Sequence, residues 1–264
     1  MSDYKRLVLP DGIHRVDVPN WLIPDKLAQG YTIDTEPDTR EEISSVIGGR
    51  HPGATAFVLA SGPSAALHST ATLQEFVRKH NAVVWTVNDA WRVVGGLPMP
   101  VSNYHVVLDS EHFDLHRANH IEYLYRTKSL LCCAFDPPTA IQHYRININL
   151  GALPEQDPPY QYMHYWHPHS SGVASAVMAM HCGVSRIYLL GHDCTTAGTN
   201  THGFGKRHDG ELRQNYPQGQ QMLVAYALLA KHAKQLGIDI YNISPISAIK
   251  SFPVLTLDQA MKDT

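Results

Sequence analysis

The chain has 264 residues, 44% of them hydrophobic and 17% charged, with 21 Lys and Arg against 24 Asp and Glu for a formal net charge of −3. That length suits one large domain with a buried core, and the near-balance of charge excludes a general polycationic grip on nucleic acid. The four cysteines, Cys132, Cys133, Cys182 and Cys194, form no C-x-x-C pair, which argues against a cysteine zinc site or a dithiol motif.

The opening segment, MSDYKRLVLPDG, lacks the apolar centre of a signal peptide. No run reaches the roughly 18 apolar residues of a membrane span, so a reducing, cytoplasmic setting is expected. Residues 1–52 are rich in Pro, Asp and Thr and read as an N-terminal extension on a main domain spanning 53–264. Within the extension, Thr39 and Glu42 have the spacing of a capping box, and Gly48-Gly49 would end the short helix it starts.

From there apolar runs alternate with helical patterns. Strands are predicted at 54–60 (ATAFVLA), 82–88 (AVVWTVN), 104–109 (YHVVLD), 129–135 (SLLCCAF), 186–193 (RIYLLGHD) and 239–244 (DIYNIS). Helices are predicted within AALHSTATLQEFVRKH, over 172–183 and over 220–237. Strands apolar throughout and separated by helices indicate a mostly parallel sheet covered on both faces, a Rossmann-like α/β fold. Polar residues then collect at the strand exits: Ser61-Gly62-Pro63-Ser64, Asn88-Asp89, Asp109-Ser110, His192-Asp193, and Asn242 with Ser244. Ligands of such sheets lie beyond those ends. The stretch 194–219, dense in Gly, Thr, His and charge, reads as a lid inserted after the fifth strand.

Two stretches carry anion chemistry. In ASGPS, Gly62 allows close approach, Pro63 fixes the turn, Ser61 and Ser64 offer hydroxyls, and a following helix would aim its first N–H groups at the turn. The pattern is neither a Walker A loop nor G-x-G-x-x-G. In HPHSSGVASAVMAM, Ser170 or Ser171 is a candidate cap and Gly172 a point of close approach, while His167 and His169 would donate to an anion or cap the turn. Most of the 17 histidines are expected at the surface or in caps.

Read together, ASGPS, TVND, LDS, SSGVASAVMAMHCGVSRIYLLGHDCT and YNISPISAIKSFP resemble a superfamily. It contains the family 42 bacterial sialyltransferases, the motility accessory factor glycosyltransferases and the archaeal 6-hydroxymethylpterin pyrophosphokinases. The resemblance covers about residues 54–253. It implies that Ser61 replaces the asparagine of a nucleotide-binding G-N-G-P-S turn and that Asn88 matches the asparagine after strand two. It also implies that Asp109 replaces the asparagine after strand three, that Ser170, Ser171 and Gly172 match a nucleotide-contacting T-S-G, and that Asp193 falls on the aspartate of G-x-D. The family's lid tyrosines are not evident in CTTAGTNTHGF, and its catalytic histidine would fall near Pro217-Gln218. His202 and His208 are the lid residues with a suitable imidazole for removing an acceptor proton, and Lys206, Arg207 and Arg213 would offset charge on a leaving phosphate.

The leading expectation is therefore a metal-independent transferase of a CMP-linked sugar, with His202, His208 and Asp193 in catalysis. Ser61, Gly62, Pro63, Ser64, Asn88, Asp109, Ser170, Ser171 and Gly172 would bind the donor. The alternatives are a Mg²⁺-dependent pyrophosphokinase using Asp109 and Asp193, and a nucleotide-binding module without catalysis. The acceptor is not read from the sequence, and the family implies a homo-oligomer.

Overall fold

The computed structural model describes residues 4–8, 15–19, 23–33, 47–93, 104–135, 137, 143–145, 170–194 and 218–263. Strands β1 (Tyr4–Val8), β2 (Arg15–Pro19) and β3 (Thr32–Ile33) make a small antiparallel sheet in the order β2-β1-β3, with helix α1 (Ile23–Ala28) between its last two strands in sequence. The predicted capping box at Thr39 and Glu42 lies outside the described residues.

Seven further strands form one sheet. They are β4 (Thr55–Leu59), β5 (Val83–Val87), β6 (Tyr104–Val107), β7 (Leu130–Cys133), β8 (His143–Arg145), β9 (Arg186–Leu190) and β10 (Asp239–Asn242). Their order is β10-β9-β4-β5-β6-β7-β8, and every neighbouring pair is parallel. All six predicted strands are present; β8 is an addition, a three-residue edge strand with no alternation to betray it.

The helices are α2 (Thr70–Lys79), α3 (Ala90–Val93), α4 (Ser110–Leu115), α5 (Arg117–Thr127), α6 (Ser171–His181), α7 (Gln218–Leu236) and α8 (Leu257–Lys262). Their faces follow from handedness. Parallel crossovers are right-handed, so the walk from β4 outward puts α2, α4 and α5 on one face. The return through β9 to β10 puts α6 and α7 on the other. Side-chain alternation serves both layers. Ala56, Val58, Trp85, Val106 and Leu189 pack with α6 and α7. Phe57, Leu59, Val84 and Leu190 pack with Leu73 and Phe76 of α2 and Leu257 of α8. Val107, Leu131 and Cys133 pack with Phe113 of α4 and Leu124 of α5.

Helix α6 is buried from Ser171 through Met180, as a helix without a polar stripe must be. Ala174, Ser175, Ala176 and Ala179 keep it thin enough to lie between the sheet and α7. Its far end is strapped by residues 49–53: Gly49 N–H donates to His181 O, His51 N–H to Cys182 O and Gly53 N–H to Gly183 O, at 2.8–3.0 Å.

Candidate functional site

The chain runs outward from β4 to β8 and then returns to the other side of β4 as β9. This reversal is the topological switch, where open α/β sheets hold their ligands. The turn after β4 is bound to the exit of β9. Gly62 N–H donates to Gly191 O at 2.9 Å, Ser64 N–H donates to Asp193 Oδ2 at 2.8 Å, and Gly191 N–H is shared between Ser64 Oγ at 3.2 Å and Ser244 Oγ at 3.0 Å. A Cβ on Gly62 would overlap Asp193 Oδ2 and the Gly191 carbonyl, so only glycine lets the two strand exits meet.

These bonds correct part of the sequence reading. Ser64 is fully buried, and its N–H and Oγ both face the β9 exit, so it secures the turn instead of offering a hydroxyl outward. The helix after the turn is a 3-10 segment of five residues, Pro63–Leu67. The α-helix α2 begins only at Thr70, capped by Ser69, too far on to aim its dipole at the turn. Ser61, Gly62 and Pro63 are half-buried along the rim. Asp193 is buried, which raises its carboxyl above the usual range against the opposing Ser64 hydrogen bonds. Its Oδ1 has no hydrogen-bond partner among the described residues.

The start of α6 reaches the same place. Ser170 is its N-cap, with Oγ accepting from Gly172 N–H at 3.2 Å and Val173 N–H at 3.5 Å. A Cβ on Gly172 would come within 2.8 Å of the His192 ring and 2.9 Å of Tyr226 Oη. His192 is itself fixed from two sides. Its Nε2 donates to the Val58 carbonyl at 3.2 Å, which leaves Nδ1 to accept from Tyr226 Oη at 2.6 Å. Burial pushes its pKa down to about 4, so the ring is neutral and both nitrogens are occupied. Residues 61–64 and 170–172 therefore converge on one short stretch, Gly191-His192-Asp193.

Asn88 closes the β5 exit with a left-handed backbone, φ 46°, which asparagine tolerates better than most residues. Its N–H donates to Val106 O at 3.0 Å, and its Oδ1 is buried with no partner among the described residues. Asp109, half-buried at the β6 exit, caps α4 by accepting from His112 N–H at 3.1 Å. Strands β6 and β9 stand three places apart in the sheet, about 14 Å at the usual spacing. Asp109 and Asp193 are thus not at neighbouring exits, and the pair expected to hold Mg²⁺ in the pyrophosphokinase alternative is not brought together.

No family model matches the chain, and no curated protein does. Solved structures do. The MAf glycosyltransferase from Magnetospirillum magneticum AMB-1 superposes with a TM-score of 0.50 at 15% identity, over 86% of this chain and 38% of that one. The sialyltransferase CstII from Campylobacter jejuni, in complex with cytidine-5'-monophosphate, gives 0.49 at 16% identity over 78% of this chain and 86% of that one. The fold is similar to that of MAf. This chain spans well under half the length of that protein.

Among the predicted residues, the structure gathers Ser61, Gly62, Pro63, Ser64, Ser170, Ser171, Gly172 and Asp193 on the β4–β9 rim, with Asn88 one strand away. His202, His208, Lys206, Arg207 and Arg213, like His167 and His169, lie outside the described residues, as does most of the predicted lid. The sequence reading placed His192 at a strand exit without a role and missed Tyr226; the two join β9 to α6 and α7. It also missed a buried group under the β5 and β6 exits: Asp89, His105, His112 and His120. The signal for the latter was the spacing of His112, His116 and His120, four residues apart, which stacks side chains along a helical path.

Proposed function

We propose that the chain is a glycosyltransferase acting on a nucleotide-activated, CMP-linked sugar. What carries this reading is the meeting of the Gly62 turn and the α6 start on Gly191-His192-Asp193, with Asn88 Oδ1 and Asp193 Oδ1 left buried and without a hydrogen-bond partner among the described residues. The α6 start supplies the positive end of an eleven-residue helix dipole for the donor phosphate, with its Gly172 and Val173 N–H groups held by the Ser170 cap. Gly62 and Gly172 let the β4 turn and the α6 start close onto the β9 exit, which shapes the rim on which the donor would sit. Asn88 and the second oxygen of Asp193 engage donor hydroxyl or amino groups, and Ser61 sits at the lip.

In the reaction, an acceptor oxygen bonds to the anomeric carbon as the bond to the donor phosphate breaks. CMP departs with the electron pair, and a base takes the acceptor proton. His202 and His208 are the proposed bases, and the segment 194–219 is the proposed lid that excludes water from the activated sugar. No metal enters the chemical step. Residues 1–52 form the proposed extension beside the catalytic domain. The MAf-like fold and the family motifs support the reading together. Among the described residues no helix is long and apolar enough to cross a membrane.

Calorimetric titration with CMP, CDP, ATP and GDP, each with and without Mg²⁺, tests this. CMP binding that ignores Mg²⁺, with turnover of a CMP-sugar, is the expected result. Binding of ATP alone and only with Mg²⁺ would favour a pyrophosphokinase, and CMP binding with no turnover of any donor would favour a binding module.

A further inference from the structure

Beneath the rim, on the α4–α5 face of the sheet, lies a second polar group that the transferase reading does not use. Thr86 of β5 and His105 of β6 are direct register partners and point toward α5. Thr86 Oγ1 donates to the Tyr104 carbonyl at 3.2 Å, and a carbonyl only accepts. The hydroxyl proton being placed there, Thr86 Oγ1 accepts from His105 Nδ1 at 3.0 Å. A neutral His105 then presents a bare Nε2, which accepts from His120 Nδ1 at 2.9 Å. The chain of donors ends with a lone pair on His120 Nε2. That atom is fully buried and has no hydrogen-bond partner among the described residues.

The lone pair does not face apolar packing. One ligand atom from each of Asp89, His112 and His120 lies within 4.8 Å of the others, and all three residues are buried. His112 Nε2 already stands 3.3 Å from Asp89 Oδ1. Ligands at zinc's usual bond lengths, arranged as a tetrahedron, are about 3.3 Å apart. One edge of the site is therefore already at metal spacing, and the others, within 4.8 Å, close by at most about 1.5 Å. A buried, unpaired imidazole nitrogen is costly as an empty acceptor and favourable as a ligand.

We infer that Asp89, His112 and His120 bind one divalent late first-row transition metal ion, of which zinc is the representative, with Thr86 and His105 holding His120 in the ligating tautomer. Two imidazoles and a carboxylate select this class over Mg²⁺ and Ca²⁺, which take oxygen ligands. Asp89 and His112 are 1% and 4% exposed and His120 is 0% exposed, so substrate does not reach the ion. Its part is to tie the β5 exit to α4 and α5, directly behind Asn88 and Asp109. This inference is independent of the transferase reading.

The test uses the full chain, stripped with a chelator and titrated with zinc against a chromogenic competitor, then with cobalt. The expected result is one equivalent of zinc, visible absorption bands on loading with cobalt, a rise in melting temperature on loading, and zinc-edge X-ray absorption showing two imidazoles and oxygen with no sulfur. Asp89→Asn and His120→Gln lose at least about 100-fold in affinity. Thr86→Val, which keeps every ligand and breaks only the tautomer chain, loses about 10- to 100-fold, and His68→Gln changes nothing. The X-ray absorption and stoichiometry of the wild-type chain stand even where a variant fails to fold. The inference is overturned by a folded wild-type chain that binds less than about 0.1 equivalent, by sulfur ligation, or by folded Asp89→Asn and His120→Gln variants that bind as tightly as wild type.

Discussion

The exits of β4 and β9 and the exits of β5 and β6 solve the same problem differently. At β4 and β9 the joining is done by backbone and small residues: Gly62 on Gly191, Ser64 on Asp193, Gly172 on His192. Nearly every donor is matched locally, and among the described residues two buried oxygens are left without a hydrogen-bond partner, Asp193 Oδ1 here and Asn88 Oδ1 on the neighbouring strand exit. At β5 and β6 large side chains do the joining, and their hydrogen-bond chain ends on an inward nitrogen. Unsatisfied atoms mark both places, but oxygens at a rim suit a visiting ligand and a nitrogen in the interior suits a resident one.

Changes that enlarge the small residues separate the two exits most sharply. Gly62→Ala drives a methyl into backbone on one side and a carboxylate on the other, so unfolding experiments should register a loss of about 3 kcal/mol with nucleotide binding abolished. Gly172→Ala meets a ring and a hydroxyl that can yield slightly; about 2 kcal/mol is expected by denaturant titration, again with weakened CMP binding. Acid should act next. His192 is held neutral with its pKa near 4 against an ordinary 6.5, so its contribution is whole above pH 6.5 and is lost as pH falls toward 4. For that residue alone the loss amounts to about 3 kcal/mol, read as a falling melting temperature across the interval and flattened in a His192→Asn variant.

Ser170→Ala should cost about 1 kcal/mol through the missing cap, and the metal affinity of the β5–β6 group should not change. The smallest structural effect is expected of Asp193→Asn. Its amide oxygen still accepts from Ser64, so stability should move by less than about 1 kcal/mol while CMP binding drops. Equal affinity for CMP in a folded Asp193→Asn variant would remove that residue from the donor site.

The parallel sheet was legible because β4, β5 and β9 are apolar apart from Thr55, Thr86 and Arg186, a pattern that strands covered on both faces use. The rim was legible because polar residues follow each of those runs. Where the reading failed, the cause lay in long-range partners. Ser64 looks like a ligand-facing hydroxyl until Gly191, 127 residues away, claims its Oγ. The N-terminal strands escaped although Asp11-Gly12 stands between their sequences, a dipeptide that commonly marks hairpins. The metal reading weighed the cysteines, the pair Asp109 and Asp193, and His167-x-His169, and passed over His112 and His120 because their partner Asp89 lies more than twenty residues away, while Thr86 and His105 become partners only through strand register.

Helix α6 has no wet side along its length, so only its two tips meet anything but packed protein. Eleven residues make a rod of about 16 Å, gripped at one tip by the 49–53 strap and presenting Ser170–Gly172 at the other. A rod sheathed in this way has its position set by packing along its length and by what holds its two tips. Loosening the strap would thus be felt at the far tip without changing any residue of the proposed nucleotide rim.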